Sequence, residues 1–133
     1  MSFTDLAQKT LIDHQYKLTV QRKAVIDILA STKKPLNPYE ISDQTKGKLD
    51  VVTIYRNLEL LEKLWLIHKI RSVDGYMPCT NHTDHHCHHY AVCTDCHKVT
   101  ELHEHNHHHQ LPPNFTTENQ VYELTGKCEK CNK

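Results

Sequence analysis

The sequence predicts an α/β protein of the α+β kind: an N-terminal winged helix, residues 1–78, followed by a small α/β metal-binding domain, residues 79–133. Three observations favour this fold: apolar residues at helical spacing up to residue 66, a hairpin signal after them, and two Cys-x-x-Cys pairs near the C-terminus. The length of 133 residues suits one domain or two small ones. With 38% hydrophobic and 24% charged residues, a disordered tail or a fibrous protein is excluded.

Three or four short helices are expected in the first 66 residues. Thr19 and Asp50 can cap the second and fourth, and Gly47 is expected to end a short third helix around Tyr39. The apolar residues expected to face inward in the first, second and fourth helices are Phe3, Leu6, Ala7, Leu11 and Ile12; Ala24, Val25, Ile28 and Leu29; and Ile54, Leu58, Leu61 and Leu64 or Trp65.

A β-hairpin is predicted after the helices. Along residues 67–72 the odd-numbered side chains alternate with the even-numbered ones in the pattern of a strand. Asp74-Gly75 is a turn signal, and Tyr76 starts the return strand. Helices followed by such a hairpin form a winged helix, and a basic winged helix usually lies on DNA. Residues 1–71 carry a net charge of +4 and residues 72–133 a net charge of −4. The first half is therefore the expected nucleic-acid surface.

The C-terminal part needs a staple, because three short strands around Tyr90–Val92, Lys98–Leu102 and Gln120–Leu124 bury too little apolar surface. The two Cys-x-x-Cys pairs supply one. Each pair places two sulfurs on one side of a tight turn, and two turns complete a tetrahedron around zinc with no position left for water. A structural zinc is therefore predicted, the alternative being a redox dithiol or unrelated thiols. The predicted ligands are Cys93, Cys96, Cys128 and Cys131.

A second metal site is predicted from the histidines, since 12 of the 13 fall between His68 and His109. His68, Cys79 and Glu101 could join one or two ligands from the segment 85–89. An imidazole, thiolate and carboxylate set suits zinc better than magnesium or ferrous iron. The site would connect the two halves, and the alternative is a solvated histidine-rich loop. Spacing does not show which residues of this segment would bind the metal. The candidates are His85, His86, Cys87, His88 and His89.

The segment from Val51 to Leu58 is the candidate DNA contact. Arg56 can bind phosphate or guanine, and Tyr55 can reach a phosphate or a thymine methyl group. Thr53 and Asn57 complete the predicted contact set, although the segment could equally be the plain solvent face of a helix. The tract His103–His109 could bind metal weakly or be a non-functional insertion.

No enzyme is expected. The chain has only three glycines and no phosphate-cradling loop, and no nucleophile is paired with a base. No run approaches the roughly 18 apolar residues of a membrane helix, and no signal peptide is visible. We therefore expect a cytoplasmic protein with reduced thiols.

The chain resembles the ferric uptake regulator family over essentially its whole length. This resemblance implies a winged helix joined to a dimerisation domain, residues 79–133, and a homodimer that binds an inverted-repeat operator in double-stranded DNA when loaded with metal. The residues that carry it are Leu18–Arg22, Pro38–Ile41, Thr53–Leu58, Ile67–Ile70 and the two Cys-x-x-Cys pairs.

Within the family the resemblance is closer to the zinc uptake regulators. It implies a regulatory zinc held by His68, Cys79, His86 and Glu101, beside the structural zinc, so two zinc ions per protomer. His88 competes with His86, because its distance from Cys93 fits iron-sensing members. The family usually has glycine where Trp65 and His97 stand. A third site is not expected, because Gln120 stands where many members have histidine.

The function expected from these observations is zinc-responsive repression of zinc uptake genes. One alternative is an iron- or peroxide-responsive repressor of the same family. The other is a zinc-buffering scaffold that does not bind DNA.

Overall fold

A computed structural model of the chain describes residues 2–79, 87–102, 111–116 and 120–132, without the side chains of residues 87, 88, 120 and 121. Its Cα positions divide into two compact units, Met1–Thr80 and Asn81–Lys133. The first contains four helices and a two-stranded sheet, and the second a three-stranded sheet. None of the helices in the described ranges is both long and apolar enough to cross a membrane. The predicted mixture of helices and small sheets is confirmed.

The four predicted helices are present, and each begins at a side-chain cap. Thr19 accepts a hydrogen bond from the Arg22 amide, and Asp50 accepts one from the Thr53 amide, as predicted. Ser2 and Asn37 form reciprocal capping boxes at the other two helices. The bounds are α1 Phe3–Asp13, α2 Val20–Ser31, α3 Pro38–Gln44 and α4 Val51–Lys63.

One apolar core joins these helices, and two details of the predicted stripes were wrong. Ile12 is 59% exposed, because it lies past the edge of the α1 stripe. In α2, the buried Ile26 was missed and the predicted Ala24 is only half-buried, whereas Ile28 is half-buried and packs against the core as predicted. The residues buried in this core are Ala7, Leu11, Val25, Ile26, Leu29, Leu36, Ile41, Ile54, Leu58, Leu61, Leu66, Ile67 and Tyr76.

The predicted hairpin follows α4. Strands β1, Ile67–Ile70, and β2, Gly75–Pro78, are antiparallel with His68 opposite Met77. The turn is longer than a two-residue Asp-Gly turn: a 3-10 segment covers residues 71–73, Asp74 takes a left-handed conformation, and Gly75 already belongs to β2. On its other side β2 forms a bridge to Leu36, so this strand is anchored to the segment between α2 and α3.

Gly75 is the glycine of the hairpin, and we expect it to tolerate substitution less well than Gly126 does. A Cβ there would lie 2.7 Å from Pro35 Cβ and 2.9 Å from the Pro35 carbonyl carbon. Because backbone cannot move aside as a flexible side chain does, Gly75→Ala should lower the free energy of unfolding by about 1–3 kcal/mol. Urea denaturation measures this, with Gly126→Ala as control, since a Cβ at Gly126 meets nothing within 4 Å. Equal effects of the two changes would contradict the expectation.

Within its described residues the second unit contains the three predicted strands, which form one sheet in the order β4-β3-β5. Strand β3 spans Cys87–Cys93, β4 spans Val99–Leu102 and β5 spans Gln120–Gly126. Strands β3 and β4 form an antiparallel pair, whereas β5 runs parallel to β3. A parallel neighbour requires a long connection, and 26 residues, β4 among them, separate the end of β3 from the start of β5.

Candidate metal centre

The parallel pairing of β3 and β5 brings the two Cys-x-x-Cys turns together. Cys93 ends β3 and is in register with Gly126, which ends β5, so both turns leave the same edge of the sheet. Thr94 fixes them to each other: its amide and its hydroxyl both donate to the Gly126 carbonyl, at 2.9 and 3.2 Å. The 31 residues between the pairs are therefore closed into a loop by backbone pairing.

The four cysteine sulfurs form a compact group in which all Sγ atoms lie within 4.8 Å of one another. Cys96 Sγ and Cys128 Sγ are 3.7 Å apart. A tetrahedron with Zn–S bonds of about 2.3 Å has edges of about 3.8 Å, so the separation of Cys96 and Cys128 matches one edge of such a tetrahedron. Four thiolates would leave no position for water, and the site would be structural. Within the part of the chain that the structure describes, no other group of three or more such donors is found.

Backbone amides around these sulfurs favour thiolate. The Cys96 and Cys128 amides donate to Cys93 and lower the pKa of its thiol to about 6. The Cys131 amide likewise lowers the pKa of Cys128. Sharing of protons with Cys128 and Cys93 raises the pKa of Cys131 to about 12, because four close sulfurs cannot all carry negative charge without a cation. A divalent cation bound at the centre supplies that charge.

The winged helix holds two members of the predicted second site. In β1 and β2, His68 lies opposite Met77, and Cys79 is two residues beyond Met77. Because side chains alternate along a strand, His68 and Cys79 occupy the same face of the hairpin as diagonal neighbours. Both are buried, with 3% and 4% of their surface exposed. The opposite face, with Ile67 and Tyr76, packs into the helical core.

The other predicted ligands are only partly covered by the structure. Glu101 lies in β4 opposite Tyr90 and is half-buried. His85, His86 and the tract His103–His109 lie outside the described residues, as do the side chains of Cys87, His88 and Gln120. His89 is described, and its ring stacks on Tyr122 at a centroid distance of 4.7 Å, a contact that spacing did not predict. The choice of ligand in this segment stays a prediction.

The predicted DNA-contacting residues all lie in the N-terminal half of α4, but they differ in exposure. Tyr55 and Arg56 are exposed and Thr53 is half-buried. Asn57 is only 9% exposed and its amide donates to the Thr53 carbonyl at 2.9 Å, so it belongs to the inner side of the helix. Helical spacing could have shown this, because Asn57 follows Ile54 by three residues and precedes Leu61 by four.

Two positions with unusual backbone conformation match the departures from the family pattern. Trp65, after α4, has φ +61°, and His97, after Cys96, has φ +66°. Both lie in the left-handed region that glycine enters without steric cost. A glycine would take this conformation without steric cost, which is a physical reason for the glycine that the resemblance implies at these two positions.

Comparison with known proteins matches residues 13–127 to the ferric uptake regulator family. The ferric uptake regulation protein of Staphylococcus epidermidis is 33% identical over 139 aligned positions, covering 98% of this chain and 97% of that protein. The Bacillus subtilis protein of the same name is 31% identical over 106 positions, covering 75% and 71%.

Solved structures share the fold. Holo XcZur has a TM-score of 0.76 at 24% identity, covering 98% of this chain and 96% of that one. A zinc uptake regulator complexed with zinc and DNA has a TM-score of 0.77 at 20% identity, with coverage of 97% and 92%. The Helicobacter pylori ferric uptake regulator, described with three functional metal-binding sites, has a TM-score of 0.63 at 17% identity, with coverage of 98% and 92%.

Proposed function

Because the chain belongs to the ferric uptake regulator family, a family of metal-responsive transcriptional regulators and not of enzymes, we propose that it is a zinc-responsive repressor of zinc uptake genes. It acts in the cytoplasm as a homodimer on an inverted-repeat operator. Residues 1–78 bind the DNA and residues 79–133 form the dimer.

The observation that carries the choice of zinc is the pair His68 and Cys79. A histidine and a thiol share one buried face of the hairpin, and a thiolate ligand favours zinc over ferrous iron. His86 and Glu101 complete the proposed set, with His88 as the competitor of His86. Together with the four-cysteine centre this makes two zinc ions per protomer, one structural and one regulatory.

Regulation requires that zinc bind the DNA-competent arrangement of the dimer better than any other arrangement. To shift a population from 1:99 to 99:1, that preference must reach about 5.5 kcal/mol.

The choice of metal is tested by operator binding at buffered free metal concentrations, followed by fluorescence anisotropy. We expect zinc to induce binding at a lower free concentration than ferrous iron. If ferrous iron acts at the lower concentration, the protein is an iron-responsive repressor, which the names of its curated relatives favour. If no metal induces binding to any DNA, the zinc-buffering scaffold is the remaining function.

Thr53, Tyr55 and Arg56 are the proposed DNA contacts in α4, and Arg56 is expected to contribute most. Arg56→Ala should weaken operator binding at least about tenfold, or about 1.4 kcal/mol, because a guanidinium contact to phosphate or guanine is lost. Gel shifts measure this. Lys63→Ala is the matched control, since it removes a positive charge from the other end of the same helix. If both variants bind as the unchanged protein does, α4 is not the contact surface.

A further inference from the structure

Val52 is an apolar side chain on the outer side of α4, the helix proposed to meet DNA. It lies in the first turn of the helix, two residues after the Asp50 cap, and 58% of its surface is exposed. An exposed valine in a helix is also less favourable than alanine, so neither the core nor the helix explains its presence. The inference that follows rests on the proposed function, because it concerns what Val52 meets when α4 binds DNA.

The buried residues of α4 fix the direction in which Val52 projects. Ile54 and Leu58 are completely buried, and Leu61 is 2% exposed. Successive residues of an α-helix are about 100° apart around its axis, so Val52 lies about 150° from the mean direction of these three residues. Val52 therefore projects away from the core. Arg56 follows it by four residues and lies one turn further along the same line.

Val52 belongs to the same exposed surface as the proposed DNA contacts. Tyr55 is 40% exposed and Arg56 is exposed, and they follow Val52 by three and four residues. In helix-turn-helix proteins the residues near the N-terminus of the recognition helix contact the base edges. A duplex that Arg56 binds in this way also covers Val52, because the two side chains are neighbours on the helix surface.

The chemistry of valine decides which base edge fits it. A valine side chain can neither donate nor accept a hydrogen bond. Against the polar groups of a base it would displace water without replacing the lost hydrogen bonds, which is unfavourable. Among the groups that base pairs present in the major groove, the apolar one is the 5-methyl group of thymine. Contact between this methyl group and Val52 removes apolar surface of both from water, which is favourable.

We propose that Val52 is a specificity-determining residue that contacts the 5-methyl group of a thymine in each half-site of the operator. The thymine lies beside the base or phosphate that Arg56 binds. Arg56 and Tyr55 supply polar contacts, and Val52 selects thymine over the other bases at one position. Because a homodimer presents two copies of α4, an inverted-repeat operator contains this thymine twice.

The experiment removes the methyl group from the DNA and the isopropyl group from the protein in one double-mutant cycle. An operator is selected from random duplexes with the zinc-loaded full-length protein. Each thymine position is then replaced in both half-sites by deoxyuridine, which keeps the base pair and lacks only the methyl group. Anisotropy measures binding by the unchanged protein and by Val52→Ala, which should keep the fold because alanine is the better helix former.

We expect replacement at one position to weaken binding by the unchanged protein about tenfold, since two buried methyl contacts are lost. The same replacement should change binding by Val52→Ala less than about twofold, because the contact is already absent. Val20→Ala is the matched control: Val20 is an exposed valine in the first turn of α2, and this variant should keep the tenfold effect.

An equal methyl effect in the unchanged protein and in Val52→Ala would overturn the proposal, as would the absence of a methyl effect at every thymine. Both results leave zinc-dependent repression standing, because an operator was selected and bound. If the zinc-loaded protein selects no duplex at all, the role of Val52 and the proposed function both fail.

Discussion

Cys128→Ser is expected to unfold the three-stranded sheet of the second unit while the four helices stay folded. The four-cysteine centre holds the ends of β3 and β5, and among the described residues of this unit only Tyr90, Val92 and Cys93 are buried apolar residues. Zinc binding by such centres provides about 10 kcal/mol or more of folding free energy, and a serine hydroxyl does not replace a thiolate ligand. The measurements are zinc content per chain and amide NMR spectra with and without a chelator.

A matched control for this change is Thr94→Ala. It removes the 3.2 Å hydrogen bond from the Thr94 hydroxyl to Gly126, which joins the same two turns, but it leaves all four sulfurs in place. We expect it to lower the free energy of unfolding by about 1 kcal/mol or less. If the sheet keeps its amide spectrum after complete zinc removal, the four-cysteine centre is not required for the sheet to stay folded.

Cys79→Ser is expected to leave the protein folded and to abolish its response to zinc. The change replaces a buried thiol by a hydroxyl of similar size, so the hairpin keeps its packing, but the proposed regulatory site loses its softest ligand. The free zinc concentration at half-maximal operator binding should rise by about a hundredfold or more, since even residues that only support a ligand change metal affinity 10–100-fold. Anisotropy in zinc buffers measures this shift.

Met77→Leu controls for changes on that face of the hairpin, because Met77 lies opposite His68 and is the neighbour of both predicted ligands. It should keep the zinc response. If Cys79→Ser binds the operator at the same free zinc concentration as the unchanged protein while zinc content shows the structural centre filled, the sensor is not at His68 and Cys79.

Features that depend on a few neighbouring residues could be predicted from the sequence. The caps Thr19 and Asp50 form as expected, because a cap needs only an acceptor three residues before an amide. The two Cys-x-x-Cys turns could be predicted in the same way, because each turn depends only on the spacing of its own two cysteines. The two strands of the hairpin were predicted, but its turn was not. The turn covers residues 71–74, with Asp74 in a left-handed conformation, and is not the two-residue turn Asp74-Gly75.

Features that depend on distant residues could not be predicted in this way. Spacing indicated that the two Cys-x-x-Cys pairs belong together, but it did not show that β5 runs parallel to β3 and ends beside it. Asn57 is a different case: it was assigned to the DNA contacts and the structure places it inward, although its spacing from Ile54 and Leu61 could have shown this.

Spacing, capping and residue type are local properties, and the helices, the strands, the chemistry of the metal donors and the family could be predicted from them. The grouping of four sulfurs within 4.8 Å of one another and the placement of His68 and Cys79 on one buried face depend on the three-dimensional structure. These are consequences of strand direction and register, which are set by the packing of the whole unit. A shift of register by one residue would have turned every one of these side chains to the opposite face.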